Sequence, residues 1–528
     1  MVSRARCAAA LAVLGILVTS ACGTGSGTSA STTKTAAIAK DGGDATFLFP
    51  TAPLDLDPST SQDNNVSMPM MNAWFEYLIQ QKPGSADYQP MLASSWEVSQ
   101  DQLTYSFHLN SSAKFSDGSA VTSGDVVASL KRNFEPDISL LNFLNAKISS
   151  ITAPDDSTVK IALSQPWPHL LADLASPTAA IYSQKALAAA ESPKGFFNTT
   201  PVGTGPFVLS EVVTNSRYTV KKNPNYWDSS RAPRLDSITF SVVTDESARV
   251  TAVLGQRADI AQSPPANQLK ALQSNSAVSV GSFPSARVEL IALNTKKPPF
   301  DNLKLRQAFS LALDRKAIVE AGLFGAGTPA TTFLVPPPKV AFQNPELDLY
   351  PTDAAKARQL VEESGVPTPI EIPLEVSTGS AEDAILNIAK DNLDAIGFKV
   401  SPIRKDAASV DNDIIGQKYT ANTTFWGNLS GDPSIQPLFA VDPDYCCDAY
   451  FTGYHDADLV ELLHKGINAT DRAQAQTIFD DVQRQVAEAA FLIPLYYPDL
   501  TYVMNTKIVG FQADPYGFYD WAAIGFAQ

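Results

Sequence analysis

The stretch Phe425-Trp426-Gly427-Asn428-Leu429-Ser430-Gly431-Asp432-Pro433 carries residue types that grip a small solute: two aromatic rings, an amide and a carboxyl. Trp426 offers either a face on which a ligand stacks or the wall of a cleft, and Asn428 offers a donor and an acceptor together. Asp432, directly before a proline, fits a turn-holding role better than a ligand-facing one. Nothing in the chain has the spacing that bond-making chemistry needs. His108, His169, His455 and His464 are scattered, and no CxxC or HExxH occurs, so neither a metal nor another cofactor is expected. No G-x-S-x-G elbow is present, which leaves a secreted hydrolase as a rival that depends on side chains meeting only in the fold. Asp301 and Asp314 read as helix-cap or ion-pair residues.

The four cysteines divide by position. Cys7 lies in an apolar run, Cys7 to Val18, behind Arg4 and Arg6. That run is too short to span about 30 Å of hydrocarbon but suits a secretory signal. Thr19-Ser20-Ala21 before Cys22 resembles a bacterial lipobox, which implies that residues 1–21 are removed and that Cys22 carries a lipid. Residues 22–43 then form a tether, because Gly23 to Ala37 is almost all Gly, Ser, Thr and Ala. About twenty such residues reach roughly 25 Å. Removing residues 1–21 takes away two arginines and no acid, so the net charge of −16 becomes −18. Anionic headgroups repel such a body, and the lipid has to hold it at the membrane. Cys446 and Cys447 are adjacent, and both a strained vicinal bridge and two free thiols are compatible with that.

With 528 residues, the chain is long enough for roughly three or four domain-sized units. Its 44% hydrophobic and 18% charged residues are those of a globular protein that needs no disulfide framework. The 39 basic residues against 55 acidic ones, with no basic run, exclude nucleic acid as a partner. Strands are expected at 45–49, 103–109, 159–163, 207–213, 238–243, 289–294, 398–400 and 492–497. Helices are expected at 68–79, 125–134, 246–255, 302–321, 352–364, 382–396 and 471–490. Thr122 with Asp125 supplies an N-cap signal. This intermixing predicts an α/β or α+β chain with several sheets. Gly203 and Gly205 are expected to serve a tight turn.

Several segments in fixed order resemble the extracellular solute-binding proteins of family 5, the dipeptide, oligopeptide and nickel receptors of ABC importers. They are Leu56-Asp57-Pro58, Pro90 to Trp96, Thr104 to Leu109, Phe115 to Gly118, Val202 to Phe207, Asn223 to Trp227, Leu293 to Thr295, Pro299 to Asn302, Arg306 to Ala308, Asp314-Arg315, Trp426 and Asp432-Pro433. The resemblance implies an α/β, two-lobed, type II-like periplasmic-binding fold of the large cluster C kind with an extra domain. The first lobe would be 44–60 with 200–275 and 490–528, the extra domain 61–199, and the second lobe 276–489. It implies a monomer without enzymatic activity, lipid-anchored to the outer face of the cytoplasmic membrane or periplasmic. Such a protein encloses a peptide or peptide-like solute and presents it to ABC permease subunits.

Peptide-binding relatives often carry W-x-x-D-x-x-D-P, whose first Asp pairs with the peptide ammonium. Leu429 stands there in this chain. An ammonium facing Leu429 is costly, so either another acid supplies the charge or the ligand has no free amine, as in a sugar oligomer. Asp63, just beyond Leu56-Asp57-Pro58, is the candidate acid by resemblance, with Asn65, Phe425, Trp426, Asn428, Leu429 and Asp432 as the remaining ligand-binding set. A purely adhesive lipoprotein is a further rival.

Overall fold

The computed structural model describes residues 39–528 apart from 62–64, 83–86, 136–146, 336–341, 345, 378–379, 428–431, 446 and 515. Its spine is one twelve-stranded sheet that runs through both halves of the molecule. In the N-terminal half, the strands Asp44–Phe49 and Ser237–Val242 pair in parallel, Phe47 opposite Phe240, and Arg217–Lys222 and Phe207–Val213 extend the edge. In the C-terminal half, Arg287–Leu293 lies between Ala421–Gly427 and the final long strand, and Ile370–Ser377 pairs in parallel with Phe398–Lys405.

The long strand Leu492–Asn505 belongs to both halves. Its first residues pair with Arg287–Leu293 and its last with Val278–Pro284, antiparallel in each case. The halves are therefore bridged by two neighbouring backbone segments, 284–287 and 497–499. There the Ser285 hydroxyl donates to the Pro498 carbonyl at 2.5 Å. The chain between Phe49 and Phe207 leaves and re-enters the N-terminal half, and its own four-stranded antiparallel sheet is built from Ala93–Val98, Thr104–Leu109, Thr158–Leu163 and Ile148–Asp155. Tyr105, Phe107 and Leu109 alternate into its core, as the period-two pattern predicts. The helix Ser123–Asn133 covers that core, closed by a reciprocal Thr122–Asp125 capping box.

Three expectations need correction. A helix over 68–79 is not formed: Ser67–Met71 is one short helix. Beyond it the backbone pairs elsewhere, with the amides of Gly205, Phe207 and Ile181 donating to the carbonyls of Trp74, Ala73 and Glu76. The helix expected to run to 321 stops at Ala312, because Leu313 is extended and Asp314 accepts from the amide of Ala317 to cap a new short turn. The tether ends sooner than residue 43, since Ala39–Lys40 already pairs with Gly525–Ala527.

The lobe limits also differ in detail. Val278–Pro284 is bonded within the N-terminal half, and residues 492–496 within the C-terminal one. Met68, Trp74, Tyr182 and Phe197 join the core of Phe47 and Trp521 rather than that of the inserted sheet. Among the described residues no helix is long and apolar enough to cross a membrane.

Candidate functional site

A cavity of about 570 Å³ lies where the insertion meets the C-terminal segment and the bridge between the halves. Its walls come from stretches far apart in sequence. Residues 72–77 contribute Glu76 and Tyr77, the strand pair Ile79–Gln81 and Tyr88–Pro90 contributes Gln80 and Tyr88, the helix Leu170–Leu174 contributes Ala172, Arg231 stands apart from these, Phe283 and Pro284 come from the start of the bridge, and residues 512–521 contribute Asp514, Tyr516 and Asp520. That last stretch is a tight reversal in which Ala513 and Tyr519 bridge and Gly517 turns at φ 81°. Asp514 holds it, its Oδ1 accepting from the amides of Tyr516 and Phe518, each at 2.9 Å.

The charge balance of the wall is acidic. Among the described residues, Glu76, Asp514 and Asp520 face a single lining cation, Arg231. Arg231 is already engaged, 3.4 Å from Glu76 and 3.5 Å from Asp520. Glu76 is buried and fully served: Oε1 accepts from the Tyr226 hydroxyl at 2.8 Å and Oε2 from the Trp227 indole at 2.7 Å. Burial pushes its carboxyl above the usual carboxylate range, while Arg231 and the two donors pull the other way. Tyr226 and Trp227 are thus packed residues. Two buried tyrosines of the wall, Tyr77 and Tyr516, have hydroxyls without a hydrogen-bond partner among the described residues. Burial raises both, and the charge of Asp514 adds to it in each case. The amide side chains of Gln80, Gln89 and Gln512 complete a polar rim.

Of the residues expected from sequence, the described ones, Asn65, Phe425, Trp426 and Asp432, are not in the lining of this cavity. Asp63, Asn428 and Leu429 lie outside the described residues. Asn65 is half-buried in the N-terminal half, where its carbonyl accepts from Gln262 at 3.4 Å. Phe425 is 45% exposed, with the Arg287 guanidinium 3.7 Å from its ring centre and Glu289 paired to Arg287. Trp426 has ring partners on its own half, Phe439 at 5.1 Å and Tyr450 at 4.6 Å, and so forms part of a wall. Its indole N–H has no acceptor among the described residues. Asp432 is buried and holds a turn, accepting from the Ser434 amide at 2.7 Å and hydroxyl at 2.6 Å. It also reaches the cavity's flank, because its charge is felt at the hydroxyls of Tyr88 and Tyr516.

Sequence reasoning missed Tyr77, Tyr88, Asp514 and Tyr516. The run Asp514-Pro-Tyr-Gly-Phe-Tyr-Asp-Trp521, dense in rings and acids, was the one signal that pointed to them. Among the described residues no group of His, Cys, Asp and Glu could hold a metal ion.

Comparison with known proteins adds three findings. Residues 87–442 match the profile of the bacterial extracellular solute-binding proteins, family 5, middle region. The chain is similar to Heme-binding protein A of Haemophilus influenzae, 28% identical over 95% of this chain and 96% of that protein. It is also similar to Glutathione-binding protein GsiB of Pectobacterium atrosepticum, 32% identical over 80% and 83%. Among solved structures, the ABC transporter substrate-binding protein CtaP of Listeria monocytogenes superposes with a TM-score of 0.83 at 24% identity, covering 93% of this chain and all of that one. DppA of Helicobacter pylori in complex with the peptide STSA gives 0.81 at 20% identity, covering 93% and 99%. These two likenesses establish the two-lobed α/β fold.

Proposed function

Since the chain belongs to the bacterial extracellular solute-binding proteins of family 5, whose members bind solutes and are not enzymes, we propose that it captures a peptide or peptide-like solute bearing a cationic amino group and delivers it to the permease of an ABC importer. The observation that carries this reading is the charge of the cavity, where the one lining cation among the described residues is shared between two carboxylates. An ammonium entering there meets a wall where, among the described residues, the carboxylates of Glu76, Asp514 and Asp520 outnumber the one guanidinium of Arg231, whereas a carboxylate is disfavoured by the same balance. In this reading Asp514 takes the part that Leu429 cannot.

Isothermal titration with a panel of short peptides and their N-acetylated counterparts tests it. Acetylation is expected to weaken binding tenfold or more, and Asp514→Asn to weaken the free peptides by about 1–3 kcal/mol while leaving the acetylated ones unchanged. Equal binding of both forms favours the second reading, an amine-free polar solute such as a sugar oligomer, for which the glutamine rim supplies donors and acceptors.

The same proposal includes the front end: a lipid on Cys22 and a membrane-tethered, monomeric receptor in the cell envelope. Replacing Cys22 by alanine is expected to abolish incorporation of labelled fatty acid and to move the protein from the membrane fraction to the soluble one. Retention of both label and membrane association would contradict the anchor.

A further inference from the structure

The cavity has a second selective feature, the placement of its half-buried rings. Phe518, Phe283 and Tyr88 line it from three separate elements: the reversal at 512–521, the end of the strand Val278–Pro284, and the strand Tyr88–Pro90 of the insertion. All three are half-buried, and all three are backed by the core. Phe518 stacks on the buried Tyr516 ring, with centroids 6.2 Å apart at 29°. Phe283 meets the Tyr502 ring at 5.9 Å and the Phe511 ring at 6.2 Å. Tyr88 packs against the apolar cluster of Phe107 and Leu170. Rings backed in this way present apolar faces that are costly to leave wet, and a flat ring covers them better than a methyl group does.

The place of Phe518 relative to Asp514 says which part of the ligand carries that ring. The two residues face each other across the reversal. The Asp514 amide donates to the Phe518 carbonyl at 3.0 Å, and the Phe518 amide donates back to Asp514 Oδ1 at 2.9 Å. Between them the Gly517 amide donates to the Asp514 carbonyl at 2.9 Å. Carboxylate and ring are therefore neighbours on one fastened turn. In a peptide, only the first residue bears an α-ammonium and a side chain on the same carbon. A peptide whose ammonium sits at Asp514 brings that side chain, before any later one, to Phe518.

We infer that the cavity selects peptides by their first side chain and prefers an aromatic one there, with Phe518 as the specificity-determining residue. This rests on the reading of Asp514 given above. The ring faces favour an offset or edge-on partner, and an ammonium beside them gains from the same faces. Gln80, Gln89 and Gln512 offer hydrogen bonds that any peptide main chain can use, so later side chains are not discriminated.

Isothermal titration of the full chain with Phe-Ala-Ala, Ala-Phe-Ala and Ala-Ala-Phe tests this, because the three share one composition and one charge. Phe-Ala-Ala is expected to bind at least about tenfold more tightly than either isomer. Phe518→Leu keeps apolar bulk but loses the ring, and the ratio should fall to within about twofold. Phe518→Tyr keeps a ring and should keep the preference. Isomers that bind alike, or a preference that survives in Phe518→Leu, would overturn the inference, and the comparison of isomers on the unaltered protein stands whether or not the leucine variant folds. N-acetylated Phe-Ala-Ala separates this inference from the reading beneath it. Binding weakened by acetylation without any isomer preference removes the inference and keeps the amine site. Binding indifferent to acetylation, or no binding by any of the three, removes both.

Discussion

Gly203→Ala is expected to cost more than about 3 kcal/mol and to remove most soluble protein at 37 °C, because the new methyl would overlap main chain. A Cβ there would lie 2.0 Å from the Trp74 carbonyl oxygen and 2.6 Å from a Phe75 ring carbon. At Gly205 it would lie 2.6 Å from the Trp74 Cα and carbonyl carbon. The two runs of backbone are fastened at this separation, with the Gly205 amide donating to Trp74 at 3.1 Å and that of Phe207 to Ala73 at 2.9 Å. No rotamer change relieves a clash of main chain with main chain. Neither glycine has a positive φ, so the tight-turn reading gave the wrong reason for the right residues. Gly365→Ala is the matching control. That residue caps the helix Ala354–Ser364 at φ 73° with nothing within 4 Å of its missing methyl, and its loss should cost only about 1 kcal/mol. Denaturant unfolding of the three proteins measures the difference, and a Gly203 variant as stable as the Gly365 variant would refute the close-approach account.

Glu76→Ala should be the next most damaging change, at about 3–5 kcal/mol. It leaves the Tyr226 hydroxyl, the Trp227 indole and the Arg231 guanidinium facing a hole lined by the cavity wall. Glu76→Gln retains an acceptor for one donor, and because burial already makes the carboxyl hard to ionise, the amide should cost less than half as much. The order wild type, Gln, Ala in midpoint denaturant concentration is the expected result. An alanine variant within about 1 kcal/mol of wild type would show that the cluster is solvated rather than dry.

The sequence was legible where one element decides its own fate. Thr104–Leu109 and Ser123–Asn133 follow from alternation and from a cap within a few residues. Family membership was legible too, because it rests on short motifs in order. Met68 to Ile79 misled because its apolar spacing is helical, whereas its backbone is claimed by partners more than a hundred residues away, at Ile181 and Gly205. Asn302 to Ala321 misled because Arg315 is drawn inward to the carbonyls of Ser310, Tyr350 and Pro494, which breaks the helix at Leu313. The cavity was illegible for a related reason: Gln80, Ala172, Phe283 and Tyr516 share no local pattern and meet only once the sheets are assembled. The loop at Trp426 drew attention through its motif, yet its described side chains face their own half. Among the described residues of that loop, Asp432 is the one whose charge is felt at Tyr516 of the cavity wall.

The pairing of Ala39 with Ala527 and of Lys40 with Phe526 makes the folded body a ring in all but one covalent bond. Beginning and end leave the molecule at one spot, so a pull on the leading residues is borne by that short zipper and by the neighbouring strand Ile508–Val509 before it can reach the bridge at 284–287. A tether on the leading residues would thereby pull at a place mechanically separate from that bridge. A circular permutant joined across this seam and reopened in an exposed loop should retain the fold.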